Sequence, residues 1–511
     1  MSSTNFIILF CILSLIVNFS FSYKILVIFG HPGKSHFDAF KSLFKELAGR
    51  GHELTILGHV PINNITNIRY IPFREDKPLE NEIDLQGDTV ALNSVFYYLQ
   101  QIRQIENFAS TFCELDLSGL GFQNFLLEEL EFDIILGEMY NTNCYYGLVT
   151  KFKVPFIGLS STSLMPWHYS WFDIPLDIRT SSNIFGGYKW PMTLCAQLEN
   201  AFLHILSYLT YNLWIYPNDK KLSNKYIGVN PADPANASFL LVNSHYTTDN
   251  AIALPPNVIE IGGIHLENRD PKEIPQDIGA WLNNSADGVI YFSLGSMIKS
   301  DTIPLQQLKA FTNVFSRLAQ RVLWKWESDT MPNKPDNVMI VKYMPQFEIL
   351  CHPNVKLFIT HGGKLGTTEA TYCGVPMILL PQFGDQLYNS YGIVNRGNGI
   401  ILNLALASET TILHAIRTAF RLSKHAKINS KKFRNRPVSP MTNAVYWIEH
   451  VAKYKGAQHM RPVRHKAIAE SCLYSFFYVF RFISIPALTI MLVQYVHFFP
   501  RLGNFLNQYI L

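Results

Sequence analysis

The residues best suited to chemistry fall in one stretch, Phe358 to Asn389, which reads FITHGGKLGTTEATYCGVPMILLPQFGDQLYN. An apolar run, Val355 to Thr360, stops at His361-Gly362-Gly363, and a second apolar run is followed by Asp385-Gln386. Glycines where a strand ends let a ligand approach the backbone closely. The free N–H groups of a helix starting there attract an anion, and a neighbouring imidazole can donate to a phosphate. Glu369 falls in the first turns of that helix, where it can accept from sugar hydroxyls. Asp385 and Gln386 follow the next strand on the same sheet edge and can bind several hydroxyls at once. In outline this is a nucleotide-sugar pocket. A plainer reading also stands: His361 caps a turn, the glycines make the bend and Asp385 caps the next helix.

Such a site needs strands that deliver their loops to one edge. The chain of 511 residues is too long for one ordinary core and implies two domains. Short apolar runs of strand length recur at Lys24–Phe29, Gly51–Leu57, Phe132–Gly137, Val154–Leu159, Phe239–Asn243 and Val258–Gly262. A second series runs through Val289–Phe292, Arg321–Trp326, Val338–Val341, Lys356–Thr360 and Pro376–Leu380. Helical patterns lie between them, as at Phe37–Arg50 and Pro304–Gln320. Continuous apolar strands alternating with helices predict parallel sheets covered on both faces, here two Rossmann-like units joined near His265–Gln276. Ligands of such sheets bind beyond the carboxyl ends of the strands. Neither unit carries a G-x-G-x-x-G fingerprint or a Walker A motif, so a nicotinamide or P-loop function is not supported.

Composition narrows the class further. Hydrophobic residues make up 48% and charged residues 16%, a globular or membrane-associated balance. A net charge of +4 over this length gives no basis for nucleic acid as a partner. Residues 1–22 carry an apolar stretch, Phe6 to Val17, with Ser20 and Ser22 at cleavage offsets, and read as a signal peptide; an uncleaved anchor is the alternative. Asn64, Asn236 and Asn283 head glycosylation sequons, which fit a lumenal route. The seven cysteines show no zinc-ligand spacing and no readable disulfide framework. Leu473–Phe499 is long and apolar enough for a single transmembrane anchor, although Arg481 and Pro486 interrupt it; a buried or interfacial helix is the alternative.

Taken in order, Tyr343-Met-Pro-Gln346, Leu350-Cys-His-Pro353, FITHGG, GVPM and FGDQ resemble the signature of the UDP-glycosyltransferases, the family that includes the UDP-glucuronosyltransferases. VIYFSLGS from Val289, NVIEIGGIH from Asn257 and the segment from Trp447 to His459 are similar to that family too. His31-Pro-Gly-Lys-Ser-His36-Phe37 looks like its invertebrate branch, and the likeness runs from Lys24 to the C-terminal span. The resemblance implies a GT-B fold: an α/β pair of Rossmann-like domains facing a cleft, plus a C-terminal membrane helix. Residues 23–270 would bind a small lipophilic alcohol or phenol acceptor, and residues 271–465 the UDP-sugar donor. It also implies inversion at the anomeric carbon without a metal ion or cofactor. The enzyme would sit in the endoplasmic reticulum membrane facing the lumen, and such relatives commonly self-associate.

By the same resemblance His36 is the general base, a role suited to imidazole, with His31 in the same loop as the alternative. Glu138, in FDIILGE, is its acidic partner, and Asp133 at the other end of that strand is structural. On the donor side Ser296 approaches the phosphates and Tyr343 replaces a Trp that stacks on uracil. Gln346 meets the uracil or ribose. His361 with Gly363 meets the pyrophosphate, Glu369 the ribose, and Asp385 and Gln386 the transferred sugar. Leu365 replaces an Asn used on phosphate in some relatives, leaving Gly366 and Thr367 to donate. Ala251–Leu254 stands where relatives often have Arg-Pro. The departures and the invertebrate likeness favour UDP-glucose over UDP-glucuronate. A binding protein that has lost catalysis and a retaining enzyme of the same fold are the rival classes. Aromatic-rich residues 61–130 and 160–235 should line the acceptor pocket.

Overall fold

The computed structural model describes residues 22–74, 83–85 and 95–462. Apart from Ser22, the expected leader lies outside the described residues, as does the expected span Leu473–Phe499. Among the described residues no helix is long and apolar enough to cross a membrane.

Two parallel sheets form the framework. The first contains β1 (Lys24–Ile28), β2 (Glu53–Gly58), β3 (Ile68–Pro72), β4 (Ile134–Glu138), β5 (Phe156–Ser160), β6 (Leu240–Val242) and β7 (Val258–Glu260), in the order β3-β2-β1-β4-β5-β6-β7. The second contains β8 (Val289–Ser293), β9 (Arg321–Lys325), β10 (Val338–Val341), β11 (Val355–Thr360), β12 (Met377–Leu379) and β13 (Gly399–Ile401), in the order β10-β9-β8-β11-β12-β13. In both sheets the strand order reverses beside the first strand. The loops after β1 and β4 therefore diverge from one crevice, and so do those after β8 and β11, which is where open α/β sheets bind ligands.

Alternation along each strand builds both faces. Ile25 and Val27 of β1 point into one core and Leu26 and Ile28 into the other. Ile290 and Phe292 of β8 are divided from Val289 and Tyr291 in the same way. Two strands go beyond the sequence expectation. β3 is an edge strand with Arg69 exposed, so it lacks a continuous apolar run. β13 is only three residues long and begins at Gly399. The helix expected over Phe37–Arg50 is two helices, Lys34–Asp38 and Lys41–Gly49, and the one expected over Pro304–Gln320 is confined to Leu305–Phe315.

The second domain, expected to run to residue 465, gives up its last helix. Pro440–Tyr454 buries Met441, Val445 and Ile448 in the core of the first domain. Full burial of side chains of this size contributes about 1.5–3 kcal/mol each. Beyond that helix, Lys455 pairs with Asp133 at 3.0 Å and Arg461 donates to the Ala237 carbonyl at 2.7 Å. The cysteines do form a framework that their spacing hid. Disulfides join Cys113 to Cys144 in the first domain and Cys351 to Cys373 in the second, while Cys195 is free and exposed. Asn64, Asn236 and Asn283 are all exposed.

Candidate active site

His36 is carried by the short helix after β1, and Glu138 is the last residue of β4, the strand beside it. The switch in strand order brings them together: His36 Nδ1 lies 2.7 Å from Glu138 Oε1. A third group joins them. Ser161, one residue past β5, places its Oγ 2.7 Å from His36 Nδ1 and donates to Glu138 Oε1 at 2.9 Å. A carboxylate accepts only, so Nδ1 carries the proton and Nε2 keeps its lone pair. An imidazole held in this tautomer can take a proton through Nε2, with the carboxylate stabilising the resulting cation. Sequence reasoning missed Ser161. Its one signal was a serine-rich turn directly after an apolar strand.

His31, the alternative base, has a different setting. It is stacked on His36 with ring centroids 3.8 Å apart and planes 10° apart, and its Nδ1 accepts the Gly33 N–H at 2.9 Å. Burial, then the neighbouring His36 and His59, hold it well below the usual imidazole pKa. His31 is thus a neutral plate that fixes the plane of His36. Tyr140 meets both rings edge-on. Asp133 sits at the far end of β4, bound to the Lys24 N–H and to Lys455, in the structural position expected of it.

The second domain faces this group with the ends of β8, β9 and β11. Gly295 has φ of +85°, and a Cβ there would lie 2.6 Å from the His361 ring, so only glycine lets the Ser296 loop approach His361 this closely. Gly363 is equally tight, since its Cβ would fall 2.4 Å from His361 Nε2. Burial, helped by nearby Lys325, lowers the His361 pKa to about 4, so its imidazole is neutral at ordinary pH. The ten-residue helix Lys364–Cys373 starts at Gly363 without a side-chain cap, leaving the N–H groups around Leu365 and Gly366 to the cleft. Lys325, unremarked in the sequence, ends β9 and lines the same cavity, paired with Glu327 at 2.5 Å.

Further along that helix, Glu369 accepts from Gln346 Nε2 at 2.6 Å, and Gln346 accepts from the Tyr291 hydroxyl at 3.3 Å. Burial raises the Glu369 carboxyl to about 7. Tyr343 is 68% exposed at the mouth, its hydroxyl bonded to Lys272 Nζ at 2.9 Å. Asp385 occupies the cap position of the helix Gln386–Asn395, yet its side chain makes no capping bond; it accepts from Asn389 Nδ2 at 2.9 Å instead. Burial raises the Asp385 carboxyl, and His36 across the cleft partly offsets that. Gln386 commits its carbonyl oxygen to the N–H groups of Gln382 and Phe383, so only its amide N–H groups remain for a ligand. Ala251–Leu254 is absent from the cavity wall, whose cations among the described residues are Lys34, Arg269, Lys272, Lys325 and Lys364.

His36 and Ser161 from one side and Ser296, His361, Glu369 and Asp385 from the other line one cavity of about 690 Å³ between the domains, within the range of small-molecule sites; Glu138 is not part of its wall. On the first-domain side its wall includes Ile105, Phe108 and Tyr140. The loop that carries Asp385 and Gln386 is held from that side too, as the Gly384 N–H donates to Gln101 Oε1 at 2.7 Å.

Residues 24–469 match the sequence model of the family described as UDP-glucoronosyl and UDP-glucosyl transferase. The chain belongs to this family and is a UDP-glycosyltransferase. It is 34% identical over 469 residues to UDP-glycosyltransferase UGT5 of Dactylopius coccus, covering 88% of this chain and 87% of that one. UDP-glucosyltransferase 2 of the same insect is 31% identical over 514 residues, covering 96% of this chain and 94% of that one. UDP-glucuronosyltransferase 1A9 of Homo sapiens is 28% identical over 347 residues, covering 66% and 64%. Among solved structures, the spinosyn forosaminyltransferase SpnP superposes with a TM-score of 0.55 at 15% identity, covering 85% of this chain and all of that one, a likeness of fold. The family brings the GT-B arrangement of two Rossmann-like domains and the use of a UDP-sugar and an acceptor.

Proposed function

We propose that this UDP-glycosyltransferase transfers glucose from UDP-glucose to the hydroxyl of a small lipophilic alcohol or phenol, with inversion and with His36 as base. The observation that carries the reading is the 2.7 Å contact of His36 Nδ1 with Glu138, which leaves Nε2 as the acceptor of a proton. The acceptor oxygen attacks the anomeric carbon from the face opposite the diphosphate. Its proton passes to Nε2, the new C–O bond forms, and the bond from the anomeric carbon to the diphosphate oxygen breaks. UDP departs with the bonding pair, its charge met by the helix N–H groups, His361 and Lys325. Glu138 stabilises the imidazolium. The step balances with the acid–base groups of the chain and needs no metal ion or cofactor.

Donor choice has its own support. A uronate would require a free cation beside its carboxylate, but Lys364, on the helix that starts at the His-Gly-Gly turn, is held by both oxygens of Asp249 at 2.6 Å. The insect relative named for glucosyl transfer also matches more of this chain than the human glucuronosyltransferase does. For location we propose a lumenal face of the endoplasmic reticulum membrane. A disulfide in each domain and three exposed sequon asparagines suit an oxidising compartment.

The test is UDP release by membranes expressing the chain, with a set of phenols, EDTA, and either UDP-glucose or UDP-glucuronate. Acceptor-dependent release with UDP-glucose, lost in His36→Ala, is expected. Folded protein that releases no UDP with any donor would leave a binding protein in place of the transferase.

A further inference from the structure

The helix Leu194–Thr210, continued through a π-turn at Tyr211–Ile215 into Tyr216–Tyr226, exposes an apolar stripe between Leu194 and Trp214. Polar residues at its middle are buried, while Asn212 is exposed. Asn200 bonds the carbonyls of Ile178 and Ser181, His204 bonds Ser181, and Ser207 and Thr210 are buried. Leu203, Tyr211 and Ile215 pack inward, while a second set of apolar residues faces outward. Leu194, Phe202, Ile205, Leu209 and Leu213 are exposed at helical spacing, with Tyr208 and Trp214 beside them; Leu213 is 58% and Trp214 54% exposed. Between Glu199 and Asp219 the sequence contains no Asp, Glu, Lys or Arg. An isolated exposed leucine means little, but a row of exposed large apolar side chains in a stretch without charge marks a surface that meets something other than water.

We infer that this stripe lies on a lipid surface, embedded in the plane of the bilayer boundary. The chemistry at its end favours lipid over a second protein. Tyr208 and Trp214, ring-bodied and polar-tipped, suit the headgroup level. Lys220 and Lys221 follow directly and are exposed, with Lys220 over the Tyr216 ring at 4.5 Å, where they can meet anionic headgroups. The chain's exit points the same way. Arg461 is bonded to Ala237, one loop beyond the end of this helix, and the apolar stretch Leu473–Phe499 follows it. The inference stands apart from the catalytic reading and does not require the tail to span.

Trp214 supplies the probe. All eight tryptophans lie within the described residues, and it is the exposed one. The full chain is reconstituted in vesicles of phosphatidylcholine and phosphatidylserine, with and without bromines near the top of the acyl chains. Bromine-dependent loss of tryptophan emission is expected in the wild type and absent in Trp214→Phe, a change too mild to unfold the helix. Equal quenching in both proteins would overturn the inference. So would disulfide-linked dimers of Leu209→Cys, which would assign the stripe to a second copy. Flotation of the same vesicles reads membrane capture by the tail separately, so its failure would leave the helix result intact.

Discussion

Lys364 of the second domain and Asp249 of the first domain form a buried ion pair across the cleft. The ammonium lies 2.6 Å from both carboxylate oxygens and 2.9 Å from Ser163 Oγ, with side chains 7% and 3% exposed. Removing one partner of such a pair strands a buried charge and costs about 3–5 kcal/mol, whereas replacing both by apolar groups can be neutral. Asp249→Ala should therefore lower Tm markedly, and Lys364→Met with Asp249→Leu should recover most of the loss. Thermal unfolding of the single and double variants checks this, and equal losses in both would contradict it. Burial alone would raise the Asp249 carboxyl; Lys364 and Ser163 reverse that and hold it below its usual value. A depressed folded pKa means stability that is present above the unfolded value, about 3.9, and lost as pH falls through the lower folded one.

The proposed preference for an uncharged sugar gives the same pair a second test. Asp249→Asn keeps the shape of the side chain but releases the Lys364 ammonium toward the sugar corner. The ratio of kcat/KM for UDP-glucuronate to that for UDP-glucose should rise. An unchanged ratio in folded, active enzyme would remove Lys364 from donor selection.

Glu138→Gln should lower kcat by about 10²–10⁴, the scale of a lost acid–base function, with little change in donor KM. Ser161→Ala removes one hydrogen bond to a charged group, about 1.5–3 kcal/mol, and should give a smaller loss with a shifted pH profile. If Ser161→Ala cost as much as Glu138→Gln, the serine would be part of the reaction and not only a support.

Glu369 should make donor binding pH-dependent. Its carboxyl titrates near 7 in the free protein, and only the ionised form offers every lone pair to ribose hydroxyls. Donor KM should rise as pH falls below 7, and Glu369→Gln should flatten that slope. The stability linkage runs the other way: a carboxyl raised by burial favours the folded state at low pH, and that contribution is lost as pH rises from the unfolded value through about 7. A KM independent of pH in the wild type would show that Glu369 does not touch the donor.

Several strands that carry the site were legible because they are continuous apolar runs ending in serine or acid, as at β4 and β8. His36, Glu138, His361 and Asp385 were singled out through the family resemblance, and the structure brings His36, His361 and Asp385 to one cavity, with Glu138 in contact with His36. Ser161 and Lys364 were not found, because their partners lie on separate elements and nothing local marks them. The disulfides were hidden for the same reason: Cys113 and Cys144 are neighbours only after a helix packs against the β4 loop. β3 was missed because an edge strand with Arg69 outward lacks the apolar signature, and the last domain boundary because a helix cannot announce which core it joins.

Because Pro440–Tyr454 returns to the first domain, the sugar-binding unit is tied at both of its ends. The two tethers, near His265–Gln276 and near Asn435–Ser439, act like a pair of door pins. They permit a swing about the line joining them and resist twisting or sliding. Cutting the chain at the exposed Pro437–Val438 bond would remove one pin while leaving both cores whole. Turnover after such a nick would report how far the reaction cycle depends on a guided swing.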